Sequence, residues 1–270
     1  MNEPAMNRSE GRAIFGLDAS GYDIARMGYP AQLYDAIAAR TGGSLAGRSV
    51  FEIGPGTGLV TRELLARGVE RLVAVESDPE LARLLSALAG GGDRLHVVNA
   101  PFEDADLGVD RFDVACAAAS FHWLDTAPSL AKVHAALVPD GTLALWWNSY
   151  RNPHHGDPFA AAVLPLMAGL SFPPFQSAES HGSHDERFWR GELIRAGFGS
   201  IDHELVRAER TLTTAEVRAL FGSYSFIRRL DREARERLLD AIALLAEREF
   251  GGVVPNVALT ASYLCTAGPR

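Results

Sequence analysis

Ser49-Val50-Phe51-Glu52-Ile53-Gly54-Pro55-Gly56-Thr57-Gly58 is an apolar run that ends in three glycines spaced two apart. Val50, Phe51 and Ile53 suit a buried parallel strand, with Glu52 placing one charge just before the turn. Glycine has no Cβ, so main chain in such a turn can come within van der Waals reach of a ligand. Leu59 to Leu65 then begins a helix with apolar positions at 59, 60, 64 and 65. Its first N–H groups and the positive end of its dipole face the same spot. The segment reads as a cofactor site.

Spacing narrows the cofactor. A dinucleotide fingerprint, G-x-G-x-x-G, would need glycine at position 59, where Leu59 stands. A second short apolar strand, Arg71 to Glu76, ends in a carboxylate about twenty residues after the first glycine. A carboxylate so placed can accept hydrogen bonds from both ribose hydroxyls, a role shared by several nucleoside sites. Glu76 therefore says nucleoside without saying which. The pattern Glu52, Gly54, Gly56, Gly58 is E-x-G-x-G-x-G, which resembles motif I of the class I S-adenosylmethionine (SAM) methyltransferases. On that likeness SAM is the expected cofactor.

Further segments extend the resemblance to the type 11-like branch. After the strand Leu95 to Val98 comes Asn99-Ala100-Pro101-Phe102-Glu103-Asp104. In such enzymes this turn holds the adenine through an apolar side chain, a backbone N–H and an acidic group, matched here by Phe102 and Glu103. Phe112 to Ala119 followed by Ser120-Phe121-His122-Trp123-Leu124-Asp125 is similar to an F-D-x-V…F-H-W-x-D signature. Pro139-Asp140-Gly141-Thr142-Leu143 is similar to P-G-G-x-L, with Asp140 replacing the first glycine. Tyr22 to Pro30 is similar to a Y-x-x-x-R-P-x-Y-P lead-in, which places Tyr22 and Arg26 near the methionine end of SAM. The arginine fork suits a carboxylate. The resemblance runs from about residue 15 to the C-terminus. It implies an α/β fold, a doubly wound, mostly parallel, seven-stranded sheet of Rossmann-like methyltransferase type with helical additions on the substrate side. The implied cofactor set is Tyr22, Arg26, Glu52, Gly54, Pro55, Gly56, Thr57, Gly58, Glu76, Ser77, Phe102, Glu103 and Ala119.

Organisation follows strand–helix alternation, with helices expected at 59–67, 79–89 and 126–137, and Pro30 as the first residue of an earlier one. Residues 1–14 are expected to form a mobile tail, and 15–270 one methyltransferase domain. Within it, 149–190 and 213–250 would be substrate-side lid or helical additions. Thr213-x-x-Glu216 reads as a capping box. A helix from about Asp231 to Phe250 would turn Leu238, Ile242, Leu245 and Ala246 inward, and Val257 to Thr266 would be the final strand, antiparallel beside the fifth.

Apolar content of 47% with 22% charged residues is ordinary for a globular protein. A net charge of −8 argues against a nucleic-acid partner, which calls for a basic footprint. No apolar run approaches membrane-spanning length. Cys116 and Cys265 read as small core residues rather than a disulfide. The expectation is a cytoplasmic monomer or homodimer acting on a small-molecule methyl acceptor.

Methyl transfer from a sulfonium is an in-line displacement that needs alignment, and a base only when the nucleophile arrives protonated. His122, His154 and His155 are the candidates for that role, because imidazole titrates near neutrality. His181, His184 and Asp185 lack a supporting ligand pattern, so no metal is expected. Tyr150 and Tyr224, aromatic with a polar tip, are the substrate candidates among the many aromatics of the C-terminal half. O-methylation of a small molecule of secondary metabolism is the leading reading. A nicotinamide-dependent oxidoreductase and a SAM-binding protein that transfers no methyl group stand as alternatives.

Overall fold

The computed structural model describes residues 28–88, 92–150, 157–170, 182 and 185–269, and in it the glycine-ended run forms the central strand β1 (Ser49–Ile53). The other strands are β2 (Arg71–Glu76), β3 (Leu95–Asn99), β4 (Phe112–Ala118), β5 (Leu137–Tyr150), β6 (Phe198–Thr213) and β7 (Val253–Ala267). All seven make one sheet in the order β3-β2-β1-β4-β5-β7-β6. The ladders from β3 through β5 are parallel, with Phe51 opposite Val73 on one side and Ala115 on the other. β7 runs against β5: Cys265 Sγ lies 3.7 Å from Leu143 O, while Thr260 Oγ1 donates to Asn148 Oδ1 at 2.6 Å. Numbers rise along one strand as they fall along the other. The fold is the α/β, mostly parallel, seven-stranded Rossmann-like sheet that the resemblance implied.

Helices α1 (Ala31–Arg40), α2 (Leu59–Ala66), α3 (Pro79–Ser86) and α4 (Thr126–Ala136) alternate with the parallel strands. They are followed by α5 (Pro158–Val163), α6 (Glu186–Arg195), α7 (Thr214–Gly222), α8 (Ser225–Arg228) and α9 (Arg232–Phe250). Successive strand residues point to opposite faces, so each strand feeds two cores. Phe51, Ile53, Val73, Val75, Leu143 and Leu145 pack with Leu130 and Val133 of α4 and Trp189 of α6. Val50, Leu72, Val114, Cys116 and Trp146 pack with Tyr34 and Ile37 of α1 and Leu64 of α2. A sheet buried on both faces needs near-continuous apolar strands, which is why these segments read as they do.

The chain divides into two compact units. Residues 29–147, 181–205 and 261–270 hold both cores just described. The described residues of the other unit, within 148–170 and 206–260, have a core of their own, where Phe159 meets Phe221 and Phe250 edge-on and Leu220 and Ile242 are fully buried.

Three local expectations need correction. Pro30 is the cap before α1 rather than its first residue, because its ψ of 137° is extended. In α9 the buried residues are Leu239, Ile242 and Ala246, while Leu238 and Leu245 are only partly covered. β7 begins at Val253, four residues earlier than its apolar run suggested. The capping box at Thr213 is present, with Glu216 N donating to Thr213 Oγ1 and Thr213 N donating to Glu216 Oε2. Residues 1–14 lie outside the described residues, as does most of 171–184.

Candidate active site

β1, β2 and β4 end side by side, and strand order reverses between β1 and β4. In open α/β sheets that switch point is where ligands bind. The turn after β1 uses glycine three times, for two different reasons. All three take the left-handed backbone that side chains resist: φ is 63° at Gly54, 60° at Gly56 and 85° at Gly58. A Cβ on Gly54 would lie 2.6 Å from Ser120 Cβ, and one on Gly58 would lie 2.8 Å from Leu88 Cδ1. A Cβ on Gly56 would meet no protein atom within 4 Å. Gly54 and Gly58 thus serve packing, whereas Gly56 bares main chain to open space. Pro55 is buried and Thr57 half-buried beside it. Gly58 caps α2 without a side chain, leaving the helix's leading N–H groups to this turn.

Glu76 ends β2 next to that turn. Its side chain is 6% exposed; Oε2 accepts the Gly56 N–H at 3.0 Å and Oε1 accepts the Asp78 N–H at 2.8 Å. Burial pushes its carboxyl up, and those backbone donors partly oppose the shift. Each oxygen retains lone-pair capacity for hydroxyl donors. Glu76 therefore braces the glycine turn. Ser77 follows, half-buried, and Asp78 caps α3 by accepting from Glu80 N and Leu81 N.

After β3, the Pro101–Asp104 turn closes with Asp104 N donating to Pro101 O at 3.0 Å. Glu103 is exposed, but Phe102 is only 4% exposed and packs in the core with Val75 and Leu107. Phe102 anchors the turn, which presents its backbone and Glu103 outward. After β4, Ala119 adopts φ 51°, a strained value for a residue with a side chain, and its N–H donates to Trp146 O at 2.8 Å. Ser120 Oγ donates to Ile53 O at 2.5 Å, tying this turn to the end of β1. His122 accepts the Trp147 indole N–H on Nδ1 at 2.9 Å. Indole can only donate, so neutral His122 carries its own proton on Nε2.

Glu52 lies on the α1 and α2 side of β1 and is 1% exposed. Thr61 Oγ1 donates to Oε2 at 2.6 Å, while Oε1 has no hydrogen-bond partner among the described residues. Burial pushes its carboxyl up to about 7, against the Thr61 hydrogen bond and aided by the charge of Glu76. Glu52 thus acts from behind the turn rather than from its open side.

Tyr22, Arg26, His154 and His155 lie outside the described residues, as does the side chain of Tyr150 at the end of β5. Tyr224 stacks on Phe226 at 5.4 Å and meets Phe221 edge-on, within the second unit. Trp146, Trp147 and Trp189 are buried core residues. Asp185 caps α6 by accepting from Phe188 N at 2.9 Å; no cluster that could hold a metal occurs among the described residues. Among the described residues no helix is long and apolar enough to cross a membrane.

A doubly wound sheet with an open glycine turn after β1 and a buried carboxylate at the end of β2 is an architecture that suits a nucleoside ligand. Residues 51–145 match the type 11 methyltransferase family, described as a methyltransferase domain. Over that segment the chain is similar to class I SAM-dependent methyltransferases, and the comparisons support methyltransferase activity. It is 27% identical over 244 residues to a methyltransferase-like protein of Schizosaccharomyces pombe, covering 85% of each chain. A 72-residue stretch is 47% identical to Ribosomal RNA small subunit methyltransferase A of Rhizobium etli, a quarter of each protein. Its fold is similar to that of a protein described as a Type II methyltransferase from Anaeromyxobacter dehalogenans. The TM-score is 0.65 at 21% identity, over 91% of this chain and 99% of that one.

Proposed function

We propose that this enzyme transfers a methyl group from SAM to a small organic molecule, most often at oxygen, and that it works in the cytoplasm as a monomer or homodimer. SAM use is what the methyltransferase family implies. The residues present fit a nucleoside: the Gly56 main chain borders open space, and the Glu76 carboxylate lies against the same turn. That pairing is the observation on which the reading rests.

Bound SAM would supply a methyl carbon activated by a sulfonium. The chain's own residues do the rest. The Gly54–Gly58 backbone and the α2 N-terminus receive the polar end, with Tyr22 and Arg26 assigned to the methionine carboxylate. Glu76 and Ser77 take the ribose, Glu103 and the turn around it the adenine. Ala119, held in strained backbone beside Gly54, borders the reacting region. Pro55 and Thr57 shape the first turn, and Glu52 supports it from the core.

His122 is assigned to the acceptor side. Its Nδ1 accepts the Trp147 indole N–H, which fixes the orientation of the ring. A base, where the acceptor needs one, falls to His154 or His155. Tyr150 and Tyr224 are assigned to the acceptor pocket. The small-molecule reading draws support from the net charge of −8, since a nucleic-acid substrate calls for a basic surface. The cytoplasmic reading draws support from two buried, unpaired thiols.

Calorimetry with SAM, then a screen of hydroxylated, carboxylated and amine acceptors for S-adenosylhomocysteine release, tests the proposal. Saturable SAM binding and turnover with a small acceptor are expected. Binding of NADH in place of SAM would refute it, and turnover confined to ribosomal RNA fragments would refute the small-molecule part.

A further inference from the structure

The chain carries 26 lysines and arginines, and Lys132 is its one lysine. It sits on α4, thirty positions along the chain from the turn that follows β3. Its Nζ donates to Phe102 O at 2.7 Å and to Glu103 O at 2.8 Å, and lies 5.1 Å from the centre of the Phe102 ring. An ammonium is a compact donor that can serve two converging carbonyls and a ring face from a single point. A guanidinium spreads its donors over a planar fork and does not fit that arrangement. The use of lysine at this position, in a chain that otherwise uses arginine, follows from that geometry.

The consequence falls on the turn. Its peptides are trans and planar, so fixing the direction of Phe102 O fixes the Glu103 N–H in the opposite direction. Asp104 N–H is already committed to Pro101 O. Lys132 therefore sets which way the Glu103 backbone donor and side chain are offered. We propose that Lys132 is a positioning residue for base recognition, holding the Pro101–Asp104 turn in the orientation that reads adenine. This rests on the assignment of that turn to the adenine of SAM.

Lys132→Met should weaken S-adenosylhomocysteine binding by about ten-fold or more, the scale of losing charge-assisted hydrogen bonds. It should also collapse the preference for S-adenosylhomocysteine over S-inosylhomocysteine, which lacks the exocyclic amine. A lysine that only props the fold would lower melting temperature and leave that preference unchanged. Acetylation of wild type by the N-hydroxysuccinimide ester of acetate provides a second route, because the other reactive amine is the N-terminal one. Lys132→Arg protein treated alongside reports the effect of that terminus. Acetylated wild type should lose affinity and base preference, and treated Lys132→Arg should match its untreated form. If wild type binds S-adenosylhomocysteine while both Lys132→Met and acetylated wild type keep the affinity and the base preference, the inference is overturned alone. If wild type binds no S-adenosyl ligand, the nucleoside site falls and takes the inference with it.

Discussion

Glu52→Gln isolates the electrostatic cost hidden beneath the glycine turn. The Glu52 carboxyl ionises at an ordinary value of 4.5 in the unfolded chain and at about 7 in the folded protein, chiefly because burial disfavours its charge. At about 1.4 kcal/mol per pH unit, the folded state carries a penalty of about 3 kcal/mol once both states are ionised. The sign follows from the raised value. Below about pH 4.5 the carboxyl is neutral in both states and there is no penalty; as pH rises towards 7 the unfolded chain ionises first and this contribution is lost. Gln does not titrate. Its amide N–H groups, placed where Oε1 lacks a partner, add a cost that is the same at every pH. The quantity to follow is therefore the difference in unfolding free energy, variant minus wild type. It should rise by about 3 kcal/mol between about pH 4 and about pH 8, cancelling the titration of every group the two proteins share. Urea unfolding followed by the fluorescence of the four tryptophans gives that difference at each pH. Thr61→Val, which removes the hydrogen bond that favours the ionised form, should move the wild-type transition to higher pH. A difference flat across the range would refute the assignment of a desolvated acid at this position.

Three further outcomes are expected. Gly56→Val should abolish SAM binding by calorimetry, since a branched side chain would enter the open space beside φ 60° backbone; unchanged affinity would contradict the cradle. Glu76→Ala should weaken SAM binding by about 1.5–3 kcal/mol, with part of the loss coming from a loosened Gly56 turn. Leu239→Ala should destabilise the protein by about 2–5 kcal/mol in urea unfolding, whereas Leu244→Ala, at 48% exposed, should cost far less; equal effects would contradict the orientation of α9.

What the sequence disclosed depended on how local the chemistry was. The β1 turn was legible because strand, glycines and helix are contiguous, and Glu76 because it stands at a fixed spacing in the next βα unit. Asp140 looked like a departure from a glycine turn, yet it takes φ 62°, a region that Asp tolerates better than most residues. Packing registers were harder to read. Residues 238, 239, 242, 244, 245 and 246 are all apolar, so two overlapping stripes fit α9, and only tertiary packing selects the one through Leu239. The contacts that brace the site were not legible at all: Lys132 to Phe102 O, Trp147 to His122 and Ser120 to Ile53 O join residues 25 to 67 positions apart.

Three of the contacts that brace the crevice share a direction. Ser120 ties the β4 turn to the end of β1, Glu76 ties the β2 turn to Gly56, and Lys132 ties α4 to the turn after β3. Each joins one loop of the crevice to a neighbouring element, using a polar side chain that reaches main chain. Loops that must bare their backbone to a ligand cannot be held by apolar packing on that same side. Hydrogen bonds from flanking elements can fix them without filling the space. A transferase that relies on alignment more than on acid–base chemistry has most to gain from such bracing. The loss of a brace should then show first as weaker cofactor binding, before any loss of fold.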